Sequence, residues 1–464
     1  MRVGLVTCVH PLYDLPAVAV ERRDAEEELR QSGCEVVTPD IPRNSLEAIR
    51  VAASLRNCEI DLAVLFFCSW VAEDVTLALG RELKDVPLLL WALPYLDREI
   101  PMPSPMSGLT GSGSNLRRLG INFAHVIGRV GPGTVGQVVR AARAAAAARA
   151  LRRARFGVVG YPCPGMVDVV VDEAELQRAL GATAVHLDLD ALLRAARGAS
   201  GDETARAVER LMAAAAGGVE ASEQALHDNL RLYAGMKELV QAHALDGYCV
   251  RCWPELRDQH GITPCASHAL MARDGIPSTC EVDLPALITT WLLARLAGSA
   301  AFNFDITGYL EEEGAIQFAH CGAADPSLAG GPGRVRLRTH MRTATGVTVE
   351  FPFREGTVTL AKLLRPENGR LRLFAARGEV IATDAGVRGS VATVRPEPSA
   401  AAFLSAMLRE AVEHHVALVY GEWEKDLELF CEFTGVEYLP LAGAGGSPAR
   451  AAESHRQPGW RIEP

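Results

Sequence analysis

The sequence predicts an α/β protein: two Rossmann-like parallel-sheet domains followed by a β-rich, barrel-like C-terminal domain. Three observations carry this. Short apolar runs alternate with amphipathic helical patterns over the first ~125 residues. The same alternation resumes at Phe156. After Gly330-Gly331-Pro332-Gly333 helical patterns nearly vanish and strand-like runs follow one another. A chain of 464 residues has room for several domains and ample core. The boundaries expected are 1–137, 138–330 and 331–441, with a Gly-, Ala- and Pro-rich tail at 442–464 that is loosely ordered.

Arg2–Val9, Glu35–Thr38, Leu62–Phe67 and Leu88–Trp91 read as buried parallel strands, and Ala17–Ser32 as an amphipathic helix. Ligands meet such sheets at the carboxyl ends of strands, so His10 and Trp70, each just past a strand, are candidates for a substrate-facing rim. The glycine-rich run Gly108–Gly113 lacks the Lys-Ser/Thr ending of a phosphate loop and reads as a flexible connection. Val138–Arg155 is an Ala- and Arg-rich helix bridging domains, its arginines most simply a solvated face.

In the second domain Phe156–Gly160, Ala184–Leu187 and Tyr248–Trp253 are expected as strands, with helices at Asp202–Ala216, Ala221–Leu245 and Leu284–Leu296. In the third, Arg334–Arg338, Gly346–Phe351, Thr357–Leu363, Arg370–Ala376 and Gly378–Thr383 are strand-like, and Ala400–Glu413 is a helix.

Composition limits function. The formal charge is 47 − 57 = −10, which argues against nucleic acid and anionic membrane surfaces as partners. The apolar runs are interrupted by charge, so no membrane span is expected. Eleven cysteines, an odd number without a pairing framework, fit reduced thiols in a cytoplasm. The N-terminus shows no signal-peptide pattern.

The chemistry concentrates in four segments. Cys280-Glu281-Val282-Asp283 opens an apolar stretch and Phe302-Asn303-Phe304-Asp305 closes it, 305 − 281 = 24 positions later. Ala319-His320-Cys321-Gly322 follows, and Glu413-His414-His415-Val416 lies far downstream. Buried acids need a partner, a hydrogen bond or a metal. Asp283 suits the N-cap of the following helix, which leaves Glu281 without a structural task. Carboxylates and imidazoles together suit Mn²⁺, Mg²⁺, Co²⁺ or Fe²⁺. His320 is either a ligand or a satisfied core histidine. In a β-like continuation His414 and His415 face opposite sides, so one is expected at the site, His415. Trp253 and Gln259 follow a strand end and supply the aromatic face and hydrogen bonds a sugar needs. Cys249 and Cys252 have metal-like spacing without a partner pair.

These segments, with Val250-Arg251-Cys252-Trp253-Pro254-Glu255-Leu256 and Gly275-Ile276, resemble the L-fucose/L-arabinose isomerase superfamily in order along most of the chain. The resemblance implies a Mn²⁺-dependent aldose–ketose isomerase of L-fucose/D-arabinose or L-arabinose type. It implies Glu281 and Asp305 as catalytic acid and base and as metal ligands, with His415 as a third ligand and His320 similar to a fourth. The Glu-then-Asp identity is closer to fucose isomerases than to arabinose isomerases, which use two glutamates. The resemblance also implies a homotrimer or homohexamer with the site near a subunit boundary, where Trp70 would cap a neighbour's pocket. Apolar surroundings are expected to raise the pKa of the catalytic carboxylates.

Two other classes remain open. One is an isomerase or epimerase of a modified sugar, deoxy, sulfonated or phosphorylated, which an arginine cluster would favour; Arg334, Arg336 and Arg338 are spaced for one strand face, though a solvated face explains them more simply. The other is a sugar-binding protein without catalysis.

Overall fold

A computed structural model of the chain describes residues 1–96, 103–367, 369–383 and 388–441. The expected tail at 442–464 lies outside them. The first sheet joins β1 (Arg2–Cys8), β2 (Glu35–Val37), β3 (Leu62–Phe67), β4 (Leu88–Ala92) and β5 (Ala124–Ile127) in the order β2-β1-β3-β4-β5, all parallel. Its central strands are buried on both faces, which is why they read as continuous apolar runs. The second sheet orders β6 (Arg155–Val159), β7 (Thr183–Leu187), β8 (Gly247–Val250) and β9 (Ser278–Cys280) as β7-β6-β8-β9, again parallel.

The third layer is a closed barrel. Its strands are β10 (Phe302–Leu310), β11 (Ala315–His320), β12 (Arg336–Arg338), β13 (Thr348–Pro352), β14 (Gly356–Glu367), β15 (Arg370–Ile381), β16 (Ser390–Pro396), β17 (His415–Tyr420) and β18 (Glu437–Pro440). Antiparallel pairing runs β16-β11-β10-β17-β14-β15 and returns to β16, so six strands close on themselves. Closure removes unpaired edges from those strands. Phe304, Phe318, Phe374 and Phe403 pack against one another within one buried cluster. Each buried Phe contributes on the order of 1.5–3 kcal/mol.

Several local readings change. Gly108–Gly113 is not a loop but lies inside the helix Pro105–Arg118. Its glycines permit close packing: a Cβ on Gly108 would fall 2.8 Å from the Ser69 carbonyl oxygen. The two strands expected at Arg370–Ala376 and Gly378–Thr383 are one, β15, because Gly378 marks a close approach to the Arg395 carbonyl and not a break. The strand expected to reach Trp253 ends at Val250. Strands β10 and β11 precede residue 330 yet belong to the barrel, so Asp305 stands on the barrel wall and not at a strand end of the second sheet. The Ala-rich helix is Pro132–Leu151, and its arginines are not all solvated. Arg143 Nε donates to Asp426 Oδ1 at 2.8 Å, and Arg140 reaches Oδ2 at 3.5 Å.

In the helix Glu223–His243, a Cβ on Gly235 would lie 2.5 Å from the backbone nitrogen of Ala196. Gly136 in the helix Pro132–Leu151 faces open space. Gly235→Ala is expected to destabilise by about 1–3 kcal/mol. Gly136→Ala is expected to stabilise by about 0.5–1 kcal/mol. Denaturant midpoints check both signs.

Candidate functional site

The carboxyl edge of the second sheet faces the barrel wall, and each supplies part of one cluster. The loop after β6 carries Asp168, the loop after β8 carries Trp253, and β9 ends one residue before Glu281. Glu281 and Val282 both adopt left-handed backbone, with φ of 66° and 64°. A β-branched residue rarely does so, and each such conformation costs about 1–3 kcal/mol. The turn delivers Asp283 to the N-cap of the helix Leu284–Ala297, where Oδ1 accepts the Ala286 N–H at 2.7 Å.

The barrel's contribution is set by register. In the β10–β17 pair Asp305 stands directly opposite His415. Their neighbours Phe304 and Val416 fall in the cluster that fills the barrel. With a side-chain period of two, Asp305 and His415 point the other way. On that same face Ala417 and Val419 pack with Leu284, Leu287 and Ile288 of the capped helix.

His415 is held from behind. Its Nδ1 lies 2.7 Å from Asp283 Oδ2, which also accepts from Lys362 Nζ at 2.9 Å. Lys362 is 0% exposed and Asp283 1%. Burial pushes the Asp283 carboxyl up, but Lys362 and His415 outweigh it and hold it well below the usual range. This fixes the ring so that Nδ1–H donates backwards and Nε2 faces forwards.

That Nε2 lies 3.1 Å from Glu281 Oε2 and 3.2 Å from Asp305 Oδ1. Neither contact has hydrogen-bond geometry: Glu281 Oε2 and His415 Nε2 are buried without a hydrogen-bond partner. Lone pairs facing each other across such a gap repel unless a proton or a metal ion stands among them. Burial lowers the His415 imidazole, yet Asp283, Asp305 and Glu281 outweigh it and raise it to about 10. His414 joins from the side. Its Nδ1 is 2.5 Å from Asp168 Oδ2, and its Nε2 is 3.8 Å from Asp305 Oδ1.

Ligand-type atoms of Glu281, Asp305, His414 and His415 all lie within 4.8 Å of one another. Two carboxylates and two imidazoles, with orphaned lone pairs turned inward, fit a divalent ion of the Mn²⁺ class. The two carboxylates are not raised as expected. Burial alone would raise them, but the histidines outweigh it and lower both.

The remaining candidates divide. Trp253 is at the site, its Nε1 donating to Glu281 Oε1 at 3.4 Å. His320 is near, its ring centroid 6.1 Å from that of His415, but it does not join the group of four. Its Nδ1 instead accepts the Cys321 N–H at 2.9 Å. Gln259 is exposed at the end of the turn Glu255–Gln259 and touches none of the four. The His10 and Trp70 rings lie against each other, tilted by 32° with centroids 5.1 Å apart, past the ends of β1 and β3, where the order of the first sheet reverses. Among the described residues they make no hydrogen bond or ring contact with Glu281, Asp305, His414 or His415. Arg338 is paired with Glu220 at 2.9 Å, and Arg334 lies outside β12, so the three arginines do not form one strand face.

Sequence reasoning missed three participants. His414 precedes β17, so strand alternation does not govern it. Lys362 carried a usable signal, a lone charge within the apolar run Thr357–Leu363. Asp168 carried none.

Comparison with known proteins finds similar sugar isomerases. The family model of the L-fucose isomerase C-terminal domain matches residues 334–440, the barrel region. The sulfoquinovose isomerase of Priestia aryabhattai is 25% identical over 415 residues, covering 88% of this chain and 92% of that protein. The sulfoquinovose isomerase of Alkalicoccus urumqiensis is 24% identical over 375 residues, covering 77% and 82%. A periplasmic solute-binding protein from Actinobacillus succinogenes with bound D-allose aligns at 11% identity and a TM-score of 0.19, too low to carry an argument. Two parallel-sheet domains followed by a closed barrel, with these relatives, support a sugar isomerase. The chain resembles the L-fucose isomerase C-terminal domain over residues 334–440 and sulfoquinovose isomerases along most of its length, and these similarities support an aldose–ketose isomerase.

Asp283→Asn keeps a competent cap but removes the charge shared by His415 and Lys362. Stability is expected to fall by about 3–5 kcal/mol because a buried ammonium loses its partner. Divalent-ion affinity is expected to fall about 10–100-fold. Adding Lys362→Met should restore most of the stability but not the affinity, read by denaturant midpoints and Mn²⁺ titration. Because the Asp283 carboxyl is depressed, its contribution is present above the ordinary carboxylate range and is lost as pH falls below it.

Proposed function

We propose that this chain interconverts an open-chain aldose and its ketose with a divalent ion, Mn²⁺ first, held by Glu281, Asp305, His414 and His415. That it is an aldose–ketose isomerase is supported by its similarity to sulfoquinovose isomerases and to the L-fucose isomerase C-terminal domain. The observation that carries the metal reading is the pair of orphaned, inward-facing atoms, Glu281 Oε2 and His415 Nε2. When bound, the ion supplies Lewis acidity and a template for the carbonyl and neighbouring hydroxyl oxygens.

The chain's own residues move the protons. Asp305 has a side chain 34% exposed against 13% for Glu281, so it is the carboxylate open to substrate. It takes the proton from C2 of the aldose and returns it to C1, while Glu281 transfers the hydroxyl proton from O2 to O1. Both carboxyls are depressed by the histidines, so they are ionised and ready to accept at neutral pH. Trp253 steadies Glu281 through Oε1 and offers its face to the carbon chain. Asp168 and Asp283 position the two imidazoles.

The substrate has two readings. L-Fucose, D-arabinose or L-arabinose follows from the superfamily resemblance. A sulfonated aldose is favoured by the relatives, sulfoquinovose isomerases that match this chain along most of their length. The proposal includes a homotrimeric or homohexameric assembly and a cytoplasmic location. Among the described residues no helix is long and apolar enough to cross a membrane.

Metal-stripped protein is expected to form ketose from one of these sugars only when Mn²⁺ is restored. Glu281→Gln and Asp305→Asn are each expected to lower turnover by on the order of 10²–10⁴-fold with unchanged circular dichroism. Near-full activity in either variant would contradict the assignment.

A further inference from the structure

Beside the four-residue cluster lies a small cavity lined by Glu281, Trp253, Arg257, His320, Cys321 and Arg342, among others. Glu281 forms one end. Trp253 extends from it, with Nε1 on Glu281 and the Arg257 guanidinium 5.5 Å from its ring centroid. Arg257 is already committed to Asp258, through Nε at 2.6 Å and Nη2 at 3.1 Å. Arg342 is not committed. Among the described residues its guanidinium makes no hydrogen bond, ion pair or ring contact, and its side chain is exposed.

The backbone beneath Arg342 is nevertheless held. Its N–H donates to His340 Nδ1 at 3.3 Å, and the Ala344 N–H donates to the His340 carbonyl at 2.8 Å. Nearby arginines are neutralised: Arg388 forks onto Glu350 at 2.7 and 2.9 Å, and Arg338 pairs with Glu220. An uncommitted guanidinium on a fixed turn, at a cavity shared with the reacting carboxylate, is free to pair with an anion. A neutral hydroxyl needs no such group, whereas a tetrahedral oxyanion matches its fork of N–H donors.

We propose that Arg342, assisted by Arg257, binds a sulfonate or phosphate carried at the end of the sugar remote from the carbonyl. This rests on the isomerase reading above, which places the carbonyl end at Glu281. The sugar chain then runs along the Trp253 face towards the two arginines.

The test compares metal-loaded wild type with Arg342→Met and Arg342→Lys. Binding of sulfoquinovose, D-glucose 6-phosphate and D-glucose is measured by calorimetry, and kcat/KM for each sugar is measured in parallel. Wild type is expected to prefer at least one anionic sugar over D-glucose, and which one identifies the anion. In Arg342→Met that preference is expected to fall about 10–100-fold, and Arg342→Lys should recover part of it, since a point charge lacks the fork. An equal preference in wild type and both variants, or no preference in wild type, would overturn the proposal. Calorimetry needs no turnover, so charge selection in an inactive protein would keep the subsite and overturn the isomerase reading. Turnover without charge selection would do the reverse.

Discussion

The buried contact among Asp283, His415 and Lys362 is the constraint on which the site depends. One carboxylate caps the helix Leu284–Ala297, fixes the His415 ring and neutralises a lysine with no exposure. Each link ties a different part of the chain: the turn after β9, the barrel strand β17 and the barrel strand β14. A buried ion pair of this kind contributes little net stability, and losing one partner is costly. Its value lies in geometry. It turns His415 Nε2 outward and keeps it there, which is what a metal-ligating imidazole requires.

The strain at Glu281 and Val282 belongs to the same arrangement. Two consecutive left-handed residues carry the chain from the end of β9 to the cap at Asp283. This sharp reversal leaves the Glu281 carboxylate against Trp253 and His415. Local conformational cost concentrated in one turn is common where a side chain must be aimed. Here it places a carboxylate from a sheet edge opposite one from a barrel wall.

Much of this was legible in the sequence. The central strands β1, β3 and β4 of the first sheet and β6 and β8 of the second were read from apolar runs because burial on both faces leaves no other composition. Asp283 was read as a cap from its place before a helix. Glu281, Asp305 and His415 were singled out because acids and imidazoles in apolar sequence need a partner. What the sequence hid was register and long-range closure. That Asp305 pairs with His415 across β10 and β17 is a contact between residues 110 positions apart, and no local pattern announces it. The same blindness assigned one histidine where the structure brings two, since the start of β17 decides which alternation applies. Gly108 and Gly378 were misread for a related reason: a glycine that permits close packing looks, in sequence, like one that breaks an element.

The central claim is that segments from a sheet edge and a barrel wall converge on one divalent ion. The most direct measurement is X-ray diffraction from crystals grown with Mn²⁺, collected on both sides of the manganese absorption edge. The account predicts one strong anomalous peak per chain, in contact with Glu281, Asp305, His414 and His415. A peak elsewhere with this cluster empty, or Glu281 Oε2 and His415 Nε2 joined only through a proton at saturating Mn²⁺, would contradict it.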